Sequence, residues 1–314
     1  MATGDGVLQL AVLGVGGVGG YFGGMIAAAV AEGRHSGWAV HVIARGEHLA
    51  ALHEGGLTLD AAGRRIHCWP ASAVGTLAGA PVPDVVLLCV KSYDLDDAAR
   101  QIAAHSHSST VVVPLLNGVD IHERVSRAVP AVSVLPACAL VGTHLERPGL
   151  VKQVGDPGRV FLGTDPGRSG RAPWAFLRLL EASSIDYRWF DDPRPAIWQK
   201  FLFISAFGLV TATSGKTVGE VLADGSAMGD VIGIMSEVLE IAACEGVDMP
   251  SDARETALAK ARAFPFTTRT SLQRDVETGR RHEGDLFGGA ILRLGERHDV
   301  VTPSTRRVYA RLPA

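Results

Sequence analysis

Residues 8–30 read LQLAVLGVGGVGGYFGGMIAAAV, and this stretch decides the fold. An apolar run at residues 10–13 leads directly into the glycine-rich segment 14–19, and an alanine-rich segment with helical spacing follows. This order predicts a strand, a tight turn and a helix, which is how a dinucleotide-binding βαβ unit begins.

The three spaced glycines of this segment have separate predicted roles. Gly14 makes the tight turn, Gly16 lets the backbone approach a pyrophosphate, and Gly19 lets the helix pack closely on the strand. The phosphates are expected at the helix N-terminus, where N–H groups and the helix dipole favour negative charge. A glycine-rich turn without a ligand is the alternative, since the chain has 37 glycines. The predicted cofactor-binding residues of the turn are Gly14, Val15, Gly16, Gly17, Val18 and Gly19.

Length and charge limit the class of protein. The 314 residues suggest two domains, at the usual size of about 100–200 residues each. The formal net charge of −3 favours neither nucleic acid nor an anionic membrane as a partner. No apolar run approaches the ~18 residues of a membrane span, and the histidines form no metal-binding motif. We therefore expect no nucleic acid, no membrane and no metal.

The cysteines and the N-terminal residues indicate a cytoplasmic protein. The first residues, MATGDG, lack the basic and apolar regions of a signal peptide. The cysteines lie in apolar contexts without CxxC spacing, which favours reduced thiols over disulfides or zinc. They are Cys68, Cys89, Cys138 and Cys244.

Basic side chains follow the predicted strands of the first half of the chain. Arg45 follows the second strand, at residues 38–44, where an acidic side chain would hold the ribose hydroxyl of NAD and an arginine suits the 2′-phosphate of NADP. The rule favours NADP(H), and an ordinary surface arginine is the alternative. Lys91 follows the apolar strand at residues 83–90, at the kind of edge where doubly wound sheets bind ligands.

Asn117 follows the next buried strand, at residues 110–116, in the same way. Because Gly118 comes next, a turn without further function also explains this asparagine.

The second half of the chain changes to long helices. We place the boundary so that residues 1–190 form the nucleotide-binding domain and residues 191–314 form a helical substrate domain. Lys200 lies in a predicted helix at residues 196–213 that is apolar on nearly all sides, the mark of a buried helix. Only five of the 30 lysines and arginines are lysine, and arginine cannot replace an ammonium that must release its proton. Each lysine is therefore a candidate functional residue.

Taken in chain order, these features resemble the ketopantoate reductase (2-dehydropantoate 2-reductase) family. The residues that carry the resemblance are the glycine turn, Arg45, Val90-Lys91, Leu116-Asn117-Gly118, Trp198-Gln199-Lys200-Phe201 and residues 271–275 before Glu283. The resemblance implies an α/β fold, with an N-terminal Rossmann doubly wound parallel sheet and a C-terminal all-helical domain. It also implies NADPH-dependent reduction of a 2-oxo acid to a 2-hydroxy acid, with 2-dehydropantoate, reduced to pantoate in pantothenate biosynthesis, as the leading substrate.

The same resemblance assigns roles residue by residue. It implies that the glycine turn, Arg45 and Lys91 bind NADPH and that Asn117 lies near the nicotinamide. It implies Lys200 as proton donor, Ser271 on the substrate and Glu283 in the cofactor and substrate cleft. A homodimer is common for such folds, although no residue argues for it.

Each of these residues in the second half also has an ordinary explanation. Lys200 alone would be a surface lysine, and Ser271 could be a plain helix cap. Glu283 could be a first-turn acid that favours the helix dipole.

The chain departs from the family at three positions. Asparagines that the family carries four and eight residues after the lysine, and before a later glycine, are here Ile204, Gly208 and Val218. Either hydroxyls substitute for them or the substrate is not ketopantoate. The candidate hydroxyls are Ser205, Thr211 and Thr213. The alternatives to the leading function are reduction of a different oxo acid and a non-catalytic NADPH-binding sensor.

Overall fold

The structure is a computed structural model that describes residues 6–165 and 172–313. The prediction that the chain lacks a signal peptide concerns residues 1–6, most of which lie outside the described residues. The chain forms two compact units. Unit 1 comprises Met1–Leu116 and Ile121–Pro193, and unit 2 comprises Asn117–Asp120 and Arg194–Ala314. Residues 117–120 belong to the helical unit, although they lie within the first half of the sequence. A single boundary between residues 190 and 191 does not describe this arrangement.

The described part of unit 1 contains eleven strands and five α-helices. The strands are β1 (Leu8–Leu13), β2 (Trp38–Ile43), β3 (Leu57–Ala61), β4 (Arg64–Cys68), β5 (Ser72–Val74), β6 (Val85–Leu88), β7 (Val111–Pro114), β8 (Ser133–Val134), β9 (Ala137–Arg147), β10 (Leu150–Gly163) and β11 (Asp186–Phe190). The helices are α1 (Gly17–Ala31), α2 (Gly46–Gly55), α3 (Leu95–Ala104), α4 (Ile121–Ala128) and α5 (Trp174–Ala182), with short 3₁₀ turns at Leu77–Gly79 and Ser92–Asp94.

Six of these strands form a parallel sheet in the order β5-β2-β1-β6-β7-β8. Counted in chain order within the sheet, this is 3-2-1-4-5-6, the Rossmann order. β1 lies in the middle, with Val12 opposite Val42 of β2 and Leu87 of β6. The predicted doubly wound parallel sheet is confirmed, and the glycine turn follows its central strand.

A second, mixed sheet was not predicted. Its strand order is β11-β10-β3-β4, and β9 pairs with β10 in antiparallel fashion. Within this sheet, β3 and β4 form a short hairpin whose outer strand is largely exposed. Alternation in so short and polar a strand is a weak signal.

Helix α1 packs between the two sheets, which explains why a helix so rich in glycine forms at all. A Cβ atom on Gly23 would lie 2.9 Å from the side chain of Val12 in the parallel sheet. A Cβ atom on Gly20 or Gly24 would lie 2.6 Å from Val151 or 2.9 Å from Leu59, both in the mixed sheet. Glycine weakens a helix interior, so here close packing on both sides outweighs the intrinsic preference.

Unit 2 is helical throughout its described residues, as the resemblance implies. Its α-helices are α6 (Arg194–Ser214), α7 (Val218–Ala223), α8 (Gly225–Cys244), α9 (Ala253–Ala263), α10 (Ser271–Glu277), α11 (Ala290–Arg297) and α12 (Pro303–Tyr309), and a π-helical turn (Asp285–Gly289) precedes α11. α6 is the central helix and packs against α8, α9, α10 and the π-helical turn.

Helix α6 corrects our expectation that no segment resembles a membrane span. Its 21 residues reach a mean hydropathy of 1.3 over an 18-residue stretch, which is long and apolar enough to cross a membrane by length and composition. However, 61% of that stretch is buried inside the protein. The apolar composition of α6 is that of a core helix surrounded by partners.

The packing of α1 on β1 predicts a contrast between two glycines of the turn. A Cβ atom on Gly19 would collide with the carbonyl oxygen of Gly14, whereas nothing lies within 4 Å of a Cβ atom on Gly16. We expect Gly19→Ala to lower the free energy of unfolding by about 1–3 kcal/mol, the cost of overpacking. Urea denaturation measures this loss, and the matched Gly16→Ala variant should unfold like the wild type. Equal stability of both variants would contradict the packing role of Gly19.

Candidate cofactor and catalytic sites

The glycine turn of unit 1 has the geometry that a dinucleotide requires. Gly14 has φ +95°, a conformation that residues with a Cβ rarely adopt, and a Cβ atom there would lie 2.8 Å from the backbone nitrogen of Val90. Gly16 is the N-cap of α1, so no side chain caps the first turn, and the space above it is open. The open backbone at a helix N-terminus fits the pyrophosphate of a dinucleotide.

His48, which the sequence did not single out, lies beside this turn. Its Nδ1 accepts a hydrogen bond of 3.0 Å from the backbone N–H of Gly149, which leaves the proton of the neutral ring on Nε2. Burial lowers the pKa of His48, and the backbone carbonyl of Val15 acts in the opposite direction. The neutral ring therefore joins α2 to the connection before β10. A single histidine in a helix offers no sequence signal for such a contact.

Arg45 is the N-cap residue of α2, and two acidic residues that we did not predict lie beside it. Its Nη2 donates to Oδ2 of Asp97 at 2.5 Å, and its Nη1 lies 3.8 Å from Oδ1 of Asp94. Hydrogen bonds from Gln101 and then from Arg45 lower the pKa of Asp97. The guanidinium is held in one direction although its side chain is 59% exposed.

Lys91 lies directly before the 3₁₀ turn Ser92–Asp94, and its backbone carbonyl accepts from the N–H of Asp94 at 2.9 Å. Because Asp94 also faces Arg45, the turn connects the regions of the two basic residues predicted to bind the cofactor. The structure thus brings Arg45 close to the turn that follows Lys91.

In unit 2 the structure joins two of the predicted site residues directly, the catalytic Lys200 and the ligand-binding Asn117. Lys200 Nζ donates to Oδ1 of Asn117 at 2.7 Å, across 83 residues of sequence. Asn117 is the only asparagine in the 314 residues. Gly118 follows with φ +109°, so the chain turns sharply directly after the asparagine. The single asparagine of the chain therefore accepts a hydrogen bond from one of its five lysines. The rarity of both residue types is a signal in the sequence that could have pointed to this pair.

One face of α6 carries Lys200 and continues with Ile204, Gly208 and Thr211, at the three- and four-residue spacing of a single helix face. A Cβ atom on Gly208 would lie 3.8 Å from the ring of Phe287, in ordinary contact. The hydroxyls of Thr211 and Thr270 lie 2.8 Å apart. This face therefore points toward α10 and the π-helical turn.

The cap of α10 is Thr270 and not Ser271, which corrects the plain-cap explanation for the serine. Thr270 Oγ1 accepts from the N–H of Gln273 at 3.2 Å, while Ser271 is the exposed first residue of the helix. Because Thr270 caps the helix, the Ser271 hydroxyl is available for another role.

Glu283 lies just before the π-helical turn, partly buried, and its backbone carbonyl accepts from the N–H of Leu286 at 3.0 Å. The explanation of Glu283 as a first-turn acid requires a regular helix to begin there. The structure instead places a π-helical turn at its start, a feature that is frequent at functional sites.

The hydroxyls that could have replaced the missing asparagines bond within their own helix. Ser205 donates to the carbonyl of Phe201 at 2.7 Å and is completely buried. Thr211 and Thr213 donate in the same way to the carbonyls four residues before them. Val218 is 1% exposed and belongs to the core. Thr211 continues the face that carries Lys200, and its hydroxyl also meets that of Thr270 at 2.8 Å.

Comparison with known proteins gives a consistent result over the whole chain. The family model described as Ketopantoate reductase PanE/ApbA matches residues 10–167, and the model of its C-terminal part matches residues 192–314. The 2-dehydropantoate 2-reductase of Mesorhizobium japonicum (strain LMG 29417 / CECT 9101 / MAFF 303099) is 26% identical, over 96% of this chain and 96% of its own.

Solved structures share the fold. A PanE/ApbA family ketopantoate reductase from Ralstonia eutropha JMP134 is similar with a TM-score of 0.85 and 26% identity, over 97% of both chains. A D-mandelate dehydrogenase, solved with NADH and anilino(oxo)acetate, has a TM-score of 0.84 at 23% identity, again over 97% of both chains.

The hydrogen bond between Lys200 and Asn117 can be tested without any ligand. Asn117→Leu removes the acceptor at similar size and should lower the free energy of unfolding by about 1.5–3 kcal/mol, the range for hydrogen bonds to charged groups. In protein labelled with ¹³C-lysine, the Cε resonance of Lys200 should move while those of the other four lysines stay in place. Asn117→Asp keeps an acceptor and should retain the bond. An unmoved Lys200 resonance in Asn117→Leu would show that the two side chains do not meet.

Proposed function

Because the chain belongs to the ketopantoate reductase family, we propose that it is an NADPH-dependent oxidoreductase that reduces a 2-oxo acid to a 2-hydroxy acid. The observation that carries this proposal is the 2.7 Å hydrogen bond from Lys200 Nζ to Asn117 Oδ1. The bond gives the amine a defined direction, which a general acid requires.

The proposed reaction needs one hydride and one proton. The nicotinamide, when bound, supplies the hydride to the carbonyl carbon of the substrate. Negative charge then develops on the carbonyl oxygen, and the Lys200 ammonium stabilises it and donates a proton to it. The product is the alcohol, and the neutral amine regains its proton from solvent.

The remaining site residues have supporting roles in this proposal. Asn117 orients the ammonium, and the Ser271 hydroxyl binds the substrate carboxylate at the N-terminus of α10. Glu283 contributes to the cofactor and substrate cleft. That Thr270 already caps α10 supports the assignment of Ser271 to a ligand.

For the cofactor we propose NADP(H), with Arg45 and Lys91 on the 2′-phosphate. The support is the position of Arg45 directly after β2, where no acidic residue holds the ribose. The Asp97 carboxylate keeps the guanidinium oriented before the cofactor arrives. A bound phosphate would share Arg45 with this carboxylate, since an arginine has five N–H donors in a fixed fork.

2-Dehydropantoate is the leading substrate, because it is the substrate in the name of the relative from Mesorhizobium, and the physiological role would then be pantothenate biosynthesis. A different 2-oxo acid with an apolar side chain is the second candidate. It is favoured by Ile204 and Gly208 on the face of α6 that carries Lys200, beside the buried ring of Phe287. The fold does not select between them, since D-mandelate dehydrogenase shares it.

A non-catalytic NADPH sensor is the alternative outside enzymes. The oriented Lys200 argues against it, because a sensor has no need of a proton donor. We further propose a cytoplasmic location, a small-molecule partner only, and a homodimer as the assembly.

The role of Lys200 predicts a loss of turnover without a loss of folding. Lys200→Ala should lower the turnover number by roughly 10²–10⁴-fold, the contribution of a positioned proton donor, while NADPH affinity stays nearly unchanged. NADPH oxidation at 340 nm, with 2-dehydropantoate and a panel of apolar 2-oxo acids, measures it. Lys200→Arg should rescue little, since an arginine keeps the charge but does not give up a proton.

Lys216 supplies a matched control, because it forms an ion pair with Asp224 and has no proposed role in the reaction. Lys216→Ala should turn over like the wild type. If Lys200→Ala keeps more than about a tenth of wild-type turnover, Lys200 is not the general acid. If the wild type binds NADPH tightly and reduces none of the acids, the sensor becomes the better proposal.

Cofactor choice gives a separate test. Arg45→Ala should weaken NADPH by roughly ten- to a hundred-fold, through the loss of charge-assisted hydrogen bonds, and should leave NADH nearly unchanged. Arg100→Ala is the matched control, because Arg100 is exposed and also bonds to Asp97, at 3.4 Å. Fluorescence titration with both cofactors measures the affinities, and an equal loss for NADPH and NADH would refute the assignment.

A further inference from the structure

Arg293, on α11, lies at the junction of two segments that carry predicted site residues. Its Nη2 is 3.3 Å from Oδ2 of Asp120, and its Nη1 donates to Oδ1 of Asp285 at 2.7 Å. Asp120 lies three residues after Asn117, and Asp285 lies two residues after Glu283. The two arms of one guanidinium therefore bind both segments to α11.

The backbone beside Arg293 leaves space for its contact with Asp285. A Cβ atom on Gly289 would collide with the Asp285 carboxylate and would lie 2.9 Å from Nη1 of Arg293. Glycine at this position therefore leaves the room in which the two side chains meet. Burial acts to lower the pKa of Arg293, but the Asp285 and Asp120 carboxylates together raise it above its usual value.

Of the two contacts of Arg293, the one with Asp120 restricts the position of its partner segment more strongly. The Asp120 side chain is only 9% exposed, whereas that of Asp285 is 58% exposed. A carboxylate withdrawn from water needs compensation by an opposite charge or by donors, and removal of the arginine leaves part of that cost uncompensated. Without Arg293 the segment Asn117–Asp120 would gain by moving its carboxylate toward water, and Asn117 would move with it.

We infer that Arg293 is a positioning residue that holds Asn117 against Lys200 and so directs the Lys200 ammonium. Its effect on turnover rests on the proposed function, but its effect on the bond between Lys200 and Asn117 does not. Arginine suits this role because its planar fork reaches two carboxylates at once and stays charged at every physiological pH.

The test compares Arg293→Met with the wild type in ¹³C-lysine-labelled protein. The Lys200 Cε resonance should move toward its position in Asn117→Leu, and the other four should remain. The turnover number should fall roughly ten- to a hundred-fold, as expected for a displacement of about 1 Å at a catalytic group, with the KM for NADPH unchanged. Arg293→Lys, which can reach one carboxylate at a time, should fall between the two.

Arg307→Met is the matched control. It removes another arginine of unit 2, whose Nη2 bonds to Oδ1 of Asp230 at 2.5 Å on α8. It should leave both the Lys200 resonance and turnover unchanged. If Arg293→Met does not fold, Asp120→Asn decides, because it removes the charge that Arg293 holds while the Arg293 bond to Asp285 remains.

The outcomes separate this inference from the proposed function. An unmoved Lys200 resonance in folded Arg293→Met, or in Asp120→Asn, overturns the positioning role, whatever the activity. A moved resonance in a protein whose wild type reduces no oxo acid supports positioning and removes the proposed function instead. A moved resonance with unchanged turnover overturns the claim that the direction of the ammonium matters for the reaction.

Discussion

The structure of unit 1 depends on how closely α1 approaches the two sheets on either side of it. Gly19 and Gly23 allow contact with the central strand β1 and its neighbour, and Gly20 and Gly24 allow contact with the mixed sheet. Because these four positions have no side chain, α1 lies closer to both sheets than a helix of larger residues could. Because the same helix presents its N-terminus at the glycine turn, the packing that forms the core also determines where an anionic ligand can meet open backbone.

In unit 2 the main constraint is that polar side chains inside the helical core need hydrogen-bond partners. α6 is apolar on most sides, yet it carries Lys200, and four of its hydroxyls bond back to its own carbonyls. The Lys200 ammonium has only donors and therefore needs an acceptor. It bonds to Asn117, on a segment that enters unit 2 from elsewhere in the chain. The polar contact at the centre of the proposed site therefore links residues that no helical spacing connects.

This difference explains what the sequence could and could not predict. The order of strand, glycine turn and helix and the helical second half follow from local periodicity, whereas the Rossmann sheet was implied by the family resemblance. All of these were confirmed. The hairpin of β3 and β4 was missed because its short strands give little periodicity. Ser271 was considered as the cap of α10 because it carries a hydroxyl, as does Thr270, the residue before it that caps the helix. Arg45 with Asp97, and Arg293 with Asp120, are contacts between distant parts of the sequence, so spacing carries no information about them. For the bond of Lys200 to Asn117, only the family resemblance and the rarity of both residue types gave any indication.

The scarcity of lysine acquires a physical meaning once these contacts are known. Arginines occupy two positions where a permanent charge holds a carboxylate in place, with Arg293 on Asp120 and Arg45 on Asp97. A guanidinium does not lose its proton in a protein, so such contacts do not change with the state of the reaction. Lys200 occupies the position where a proton has to leave and return. An ammonium can do so, but a side chain with four rotatable bonds has no fixed direction of its own. The direction must come from its surroundings, and the chain supplies it through Asn117 and, in our inference, through a permanently charged arginine.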